Sequence, residues 1–261
     1  METESLHPQP SISDEESDDG SDSFSFDTRQ LIGAEAENME TLPEVEGLCI
    51  SGEARLGHTI QVVGFGTNGT VRCDFAWLRF YDDGSRCYIA GEEKAEHLVT
   101  ADDVDSYLAV DVIPIGREEQ MGDLVRIFAN GHRKITCGNQ MQDAVEQSFF
   151  NGHESFDVYL VEHDNSSKRV QLKLMKDRFI IKNRKFYTVV EQKFMPDMTI
   201  TIPTESTTGF EIHCSGKIQS LLLEADTSTL RDLIVLIMRS FLLRATHTPK
   251  ENKRTNRCCL F

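Results

Sequence analysis

Short stretches of alternating hydrophobic and polar residues dominate the chain between residues 44 and 137. In residues 71–77 the alternation places Val71, Cys73, Phe75 and Trp77 on one face of a predicted strand. Residues 58–63, 107–114 and 124–129 repeat the pattern, and turn signals such as the Asp-Gly pair at residues 83–84 separate the runs. Many short strands and a single tryptophan on a central one are typical of an immunoglobulin-like (Ig-like) β-sandwich, which we predict over residues 44–140.

The strand pattern restarts at residue 156 and then gives way to a helix. Seven predicted strands cover residues 156–162, 169–175, 179–182, 186–191, 198–202, 210–214 and 217–223. Apolar residues then recur at helical spacing from Leu230 to Phe241, after a run of N-cap formers at residues 226–229. Seven strands and a closing helix are the element order of a pleckstrin-homology-like (PH-like) β-barrel with a C-terminal capping helix, predicted over residues 152–246. A short polar linker, residues 138–151, joins the two, so the predicted fold class is mainly β.

The charge of the chain is concentrated at its ends. The formal net charge is −16, and residues 1–46 contribute most of it, with 14 acidic residues against Arg29. Because residues 1–43 are rich in Ser, Asp and Glu and poor in branched apolar residues, we predict a disordered acidic tail. Ser13 and Ser17 precede acidic runs there, as phosphosites of an acid-directed kinase would, although a purely solubilising tail fits equally. No secretory signal pattern is present, so we expect a cytoplasmic protein with reduced cysteines.

Nucleic-acid binding and catalysis are both disfavoured. Duplex binding needs a surplus of Lys and Arg, which the composition lacks. Residues 64–71 match G-x-G-x-x-G-x-V, but an alternating strand follows instead of a helix, and the other kinase motifs are missing. We therefore predict a flexible strand connection there. The eight histidines show no metal or catalytic spacing, so we predict no enzyme, no catalytic residue, no metal and no cofactor.

Several motifs of the first predicted domain resemble those of a known repeat. They are C-x-F-x-W-x-R at residues 73–79, Asp-Gly at 83–84, Y-I-x-G at 88–91, T-A-D-D-V-D at 100–105, G-x-L-V-R-x-F-A-N at 122–130 and K-I-T-C at 134–137. This set resembles the Ig-like repeats of the plant auxin-induced-in-root-cultures microtubule-associated family, and residues 154–245 resemble the PH-like domain that ends such chains. The Ig-then-PH order is also similar to the plant stomatal closure-related actin-binding family. The resemblance implies a non-enzymatic protein linked to the cytoskeleton or to a membrane.

Residues 168–193 form a basic segment in an otherwise nearly neutral domain. They hold nine Lys and Arg residues against Asp177 and Glu191. The resemblance to PH-like barrels implies that the first strands and their turns lie beside a mouth that binds phosphoinositide headgroups, where several cations could hold phosphate. The candidate headgroup-binding residues are Lys168, Arg169, Lys173, Lys182, Arg184 and Lys185. A solvated strand face that only balances acids elsewhere fits the alternation as well.

The last twelve residues match a lipidation signal. The sequence ends in Cys258-Cys259-Leu260-Phe261, which fits C-a-a-X with Phe favouring geranylgeranyl, although Cys259 stands where an aliphatic residue is usual. We predict prenylation of Cys258, with Cys259 as a possible second lipidation site; double prenylation of the Rab type and an unmodified chance tail are the alternatives. A polybasic stretch supplies the second membrane signal that one lipid chain needs: Lys250, Lys253, Arg254 and Arg257.

Together these features predict an adaptor or scaffold on the cytosolic face of a membrane, the plasma membrane first. The predicted partners are an anionic membrane lipid, bound by the PH-like domain, and a protein, with a cytoskeletal protein as one candidate, bound by the Ig-like domain. The alternative is a soluble accessory protein of microtubules or actin whose tail, residues 247–261, is unmodified.

Overall fold

A computed structural model describes residues 41–162, 164–214 and 220–246. The predicted N-terminal tail up to residue 40, with Ser13 and Ser17, lies outside the described residues. So does the predicted tail at residues 247–261, which contains Cys258, Cys259 and the four basic residues before them.

The described chain is mainly β, as predicted. Its strands are β1 (Glu44–Ser51), β2 (Thr59–Thr67), β3 (Arg72–Phe80), β4 (Arg86–Tyr88), β5 (Glu96–Leu98), β6 (Tyr107–Ile115), β7 (Val125–Phe128), β8 (His153–Val161), β9 (Ser167–Met175), β10 (Arg178–Lys182), β11 (Thr188–Lys193), β12 (Thr199–Thr201), β13 (Gly209–His213) and β14 (Ser220–Glu224). The α-helices are α1 (Asn139–Asn151) and α2 (Ser228–Thr246), and two short 3-10 turns flank β7 at Arg117–Glu119 and Ala129–Gly131.

The first part of the chain is an Ig-like sandwich. A three-stranded antiparallel sheet in the order β1-β2-β5 packs on a four-stranded one in the order β4-β3-β6-β7. The inward-facing residues of the alternating strands fill the space between them, including Ile60, Leu108 and Val110. Trp77 is fully buried in this core, and its indole N–H donates to the Lys94 carbonyl at 2.9 Å. The alternation in the sequence therefore predicted both the sandwich and the place of its tryptophan.

The second part is one antiparallel sheet of seven strands in the order β11-β10-β9-β8-β14-β13-β12. Its last strand, β14, pairs with its first, β8, so the sheet turns back on itself. Helix α2 packs against β12 and β13, and its residues Ile234, Ile237 and Phe241 join the core of the sheet. The barrel was expected to close, but no pairing between the end strands β11 and β12 occurs in the described residues. An open sheet capped by the predicted C-terminal helix takes its place.

The predicted linker between the two parts is a helix. Residues 139–151 form α1, which ends at Gly152 with a φ of 72° and an N–H donated to Ser148 at 2.9 Å. The helix packs on α2, where the rings of Phe149 and Phe241 lie 6.3 Å apart. The sequence prediction missed this helix because most of its residues are polar. Its apolar residues recur every four positions and face the core: Met141, Val145 and Phe149.

The glycine-rich stretch lies mostly inside a strand. Gly64 and Gly66 belong to β2, and only residues 68–71 connect β2 to β3. The turn is made by Asn68 and Gly69, with φ of 50° and 79°. The predicted strand connection is therefore shorter than expected, and this geometry differs from a phosphate-binding loop before a helix. Among the described helices, none combines the length and apolarity needed to cross a membrane.

The two parts meet in a polar junction, and the described residues from Thr41 onward form one compact unit. The T-A-D-D-V-D segment supplies the junction from the sandwich side. The Ala101 N–H donates to Asp232 of α2 at 3.1 Å, and the Ala101 carbonyl accepts from Arg239 at 2.9 Å. Asp102 pairs with Arg239 and accepts the Ile202 N–H at 3.2 Å. These bonds hold the sandwich against α2 and the β12 edge.

Candidate functional site

Two hairpin ends lie side by side at one end of the seven-stranded sheet. Strand β9 pairs with β8 on one side and β10 on the other, so the connection from β8 to β9 and the loop at residues 183–187 reach the same end. The start of β9 lies between them, since Lys168 is opposite Leu160 and Gln171 is opposite Lys182. Residues far apart in the sequence thereby converge.

We call the concavity between these two ends the basic groove. It encloses about 670 Å³ and contains four cationic side chains, Lys168, Arg169, Arg184 and Lys185. Its other lining residues are Leu160, Glu162, Ser167, Val170, Asn183 and Val189. Such a space with several Lys and Arg donors can hold a phosphate-bearing group through charge-assisted hydrogen bonds.

The cations of the basic groove differ in their pairing. Lys168 donates to Glu162 at 2.5 Å, and Arg169 donates to Asp157 at 3.0 Å, which raises the pKa of that guanidinium. In the described part of the chain, no carboxylate lies within salt-bridge distance of Arg184 or Lys185. These two side chains therefore carry the uncompensated positive charge of the groove, and both are exposed to solvent.

A hydrogen-bonded loop presents Arg184 and Lys185. The Asn183 side-chain oxygen accepts the backbone N–H groups of Lys185 at 2.9 Å and of Tyr187 at 3.0 Å. The Asn183 carbonyl also accepts the Phe186 N–H at 2.8 Å. An asparagine that binds its following backbone in this way fixes a turn locally. The two cations thus stand on a loop of defined shape.

Two of the six predicted headgroup residues do not line the basic groove. Lys173 lies on β9 opposite Ser155, four residues beyond Arg169, which is about 13 Å along an extended strand. Lys182 ends β10 opposite Gln171, one residue before the loop begins. Lys173 shares its face of β9 with Arg169, so distance along the strand separates it from the groove, and Lys182 is not among the residues that line the groove. The structure thus brings together Lys168, Arg169, Arg184 and Lys185 only.

The sequence prediction missed the shape of the loop. It assigned residues 186–191 to a strand, whereas β11 begins at Thr188 and Phe186 has a φ of 61°. The signal was the Asn-Arg-Lys run at residues 183–185, in which an asparagine begins a polar stretch between two apolar ones. Glu162 was missed as well, because its pairing with Lys168 depends on the β8–β9 register.

A second cluster of titratable side chains lies in the sandwich beside the junction. Asp103 is fully buried and accepts from Arg79 at 2.7 Å, from the Thr100 N–H at 2.7 Å and from His97 at 3.0 Å. Burial alone would raise the pKa of Asp103, but His97 and Arg79 outweigh it and lower the pKa to about 2. The carboxylate thus stays charged and holds the turn at residues 100–103, which makes it an organising group of the junction.

Residues 44–129 match the family model of the AIR9 A9 domain, an Ig-like domain. The match covers about a third of the chain and coincides with the sandwich. It supports the predicted Ig-like repeat. No curated protein matches the chain.

Among solved structures, similarity is found to human RhoA in complex with the DH/PH fragment of PDZRhoGEF. The identity is 14%, the TM-score is 0.32, and the match covers 35% of this chain and 28% of that one. A complex of the PDZ-RhoGEF DH/PH domains with GTP-γ-S-activated RhoA matches at 15% identity and a TM-score of 0.31, over 36% of this chain and 29% of that one. The chain thus spans under a third of either structure's chain.

Proposed function

We propose that this protein is a non-enzymatic adaptor at the cytosolic face of a membrane. The basic groove binds the phosphate-bearing headgroup of an anionic lipid, and the Ig-like sandwich binds a protein partner. The C-terminal segment adds a lipid anchor at Cys258, a second lipidation site at Cys259, and polybasic contacts from Lys250, Lys253, Arg254 and Arg257. Of the six cations predicted for the headgroup, the proposal retains the four that line the groove.

The convergence of these four cations is the observation that carries the proposal. Two of them, Lys168 and Arg169, form ion pairs with acidic residues, so they contribute little to the net positive charge of the groove. Arg184 and Lys185 are exposed on a fixed loop and have no carboxylate partner in the described residues. A juxtamembrane Lys or Arg contributes about 1 kcal/mol to binding of an anionic surface, so such a site favours negative lipids over zwitterionic ones.

The proposed tail and groove complement each other energetically. A single prenyl or acyl chain gives only marginal membrane binding, and a second signal is needed for a stable anchor. Both the groove and the four basic residues of the tail can supply that signal. The interaction weakens with salt, because exposed charges are screened over about 10 Å at 0.1 M ionic strength.

Vesicle sedimentation with a charge-reversal pair tests the groove. We expect the full chain to sediment with phosphatidylcholine vesicles that contain phosphatidylserine, and Arg184→Glu with Lys185→Glu to weaken that binding roughly tenfold or more. The matched control is Lys176→Glu with Lys193→Glu, which makes the same charge change at the opposite end of the sheet. Equal binding by the two double variants would contradict the proposal.

Two further measurements separate the membrane proposal from the cytoskeletal alternative. The intact mass of the protein purified from its native cell would reveal both prenylation and removal of the last three residues. The Cys258→Ser variant should move from the membrane fraction to the cytosol. Co-sedimentation with actin filaments or microtubules, without vesicles, would favour the soluble cytoskeletal protein with an unmodified tail.

A further inference from the structure

Large apolar side chains stand exposed at the rim of the basic groove. Phe186 is 71% exposed, Tyr187 is 68% exposed and Val189 is 50% exposed. Val189 also lines the groove, so these residues continue its surface outward. Three large apolar groups stand exposed within four consecutive residues, and such a patch marks an interaction surface more often than a lone exposed residue does.

The backbone holds Phe186 in an unfavourable conformation. Its φ of 61° lies in the left-handed region, which a bulky side chain adopts rarely and at an energetic cost. Asn183 fixes this conformation through the Phe186, Lys185 and Tyr187 N–H groups. Because the ring is mostly exposed, packing inside the chain does not compensate for the strain. Strain of this kind at an exposed loop is a pointer to function.

The position of the cations indicates what kind of surface meets this patch. Arg184 and Lys185 immediately precede Phe186, on the same loop, and their side chains line the groove. The Asn183 N–H donates to the Tyr187 carbonyl at 2.9 Å and closes the loop, so apolar and cationic side chains share one exposed loop. A bilayer interface complements both kinds of group, because lipid phosphates lie next to the apolar layer and aromatic rings favour the boundary between the two.

We infer that the loop at residues 183–187, together with Val189, inserts into the interface of an anionic bilayer while Arg184 and Lys185 contact lipid phosphates. The inference rests on the proposed function and deepens it, because it assigns the groove a bilayer surface as its ligand instead of a free phosphate compound. Binding then combines charge attraction with burial of Phe186 and Tyr187, and the apolar part persists when salt screens the charges.

Fluorescence of a Phe186→Trp variant tests insertion directly. The natural Trp77 is buried and hydrogen-bonded, so it serves as an internal reference that lipid cannot reach. On phosphatidylserine-containing vesicles with brominated acyl chains, we expect the emission of the introduced indole to shift to the blue and to be quenched. Soluble inositol phosphates should leave that emission unquenched. Sedimentation with vesicles without quenching would overturn insertion and leave the proposed function standing, whereas no sedimentation would overturn both.

A glycine substitution separates insertion from folding. Glycine adopts a φ of 61° without strain, so Phe186→Gly should unfold at the same urea concentration as the wild type or at a higher one. Its affinity for anionic vesicles should fall about tenfold through loss of the aromatic ring. The control is Phe150→Ala, which removes an 87% exposed ring from α1 and should leave vesicle binding unchanged. Wild-type binding by Phe186→Gly would overturn the inference.

Discussion

His97 should make the stability of the protein fall as the pH rises. The residue is 3% exposed and lies between two carboxylates, with its Nε2 at 3.0 Å from Asp103 and its Nδ1 at 3.7 Å from Glu92. Its ring stacks on Trp77 with centroids 5.0 Å apart. Burial lowers the pKa of His97, but the hydrogen bond to Asp103 and the negative charges of both carboxylates outweigh this effect and raise the pKa to about 9.

The sign and size of the effect follow from linkage. The folded pKa is about 9 against an ordinary value of 6.5, so the folded state holds the proton more tightly than the unfolded state. The stabilisation is fully present below pH 6.5 and is lost as the pH rises through 9. At 1.4 kcal/mol per tenfold change in proton affinity, this loss amounts to up to about 3 kcal/mol.

Urea unfolding of the full chain at pH 6 and pH 9.5 measures this loss. The wild type should lose up to about 3 kcal/mol between these values, whereas His97→Gln should be less stable at pH 6 and nearly insensitive to this change. Burial also raises the pKa values of the Cys137 and Cys214 thiols, so only the difference between wild type and variant isolates the histidine. Parallel losses in both proteins would refute the reasoning.

Two other substitutions test the packing between the parts of the fold. Phe149→Ala removes a ring that stacks on Phe241, so it should lower the free energy of unfolding by about 2–3 kcal/mol, while the exposed neighbour Phe150→Ala should change it by less than about 0.5 kcal/mol. Asp102→Ala removes the acceptor of the Ile202 N–H and the carboxylate partner of Arg239, and should cost about 2 kcal/mol in the same urea assay, against under about 1 kcal/mol for the exposed Asp82→Ala. Equal losses within either pair of variants would contradict the packing described for that contact.

Local patterns in the sequence predicted the strands and the closing helix, because apolar residues recur every second position in a half-buried strand and every three or four positions in a helix. Trp77 and the alternation around it predicted the sandwich core, and Thr227, whose hydroxyl accepts the Leu230 N–H at 3.1 Å, marks the predicted start of α2. Helix α1 was missed because its apolar residues, Met141, Val145 and Phe149, stand among mostly polar residues. The helical spacing of these apolar residues was therefore present in the sequence, but it was weak.

The candidate site depended on information that no local pattern contains. Lys168 and Arg184 are 16 residues apart, and they share one groove only because β9 lies between β8 and β10 in the sheet. The same register leaves Lys173 outside, although it belongs to the same basic segment. The composition of the sequence identified the basic segment, whereas the strand order of the sheet determines which of its residues line the groove. The left-handed conformation of Phe186 likewise depends on hydrogen bonds within one loop.

Hydrogen exchange of the full chain on vesicles tests the central claim most directly, because it locates the contact. With phosphatidylserine-containing vesicles, the account predicts slower exchange in peptides that cover residues 160–170 and 183–190. Exchange in β6 (Tyr107–Ile115), inside the sandwich, should be unchanged, and vesicles of phosphatidylcholine alone should have no effect. Binding to anionic vesicles that leaves both groove peptides unprotected would contradict the account.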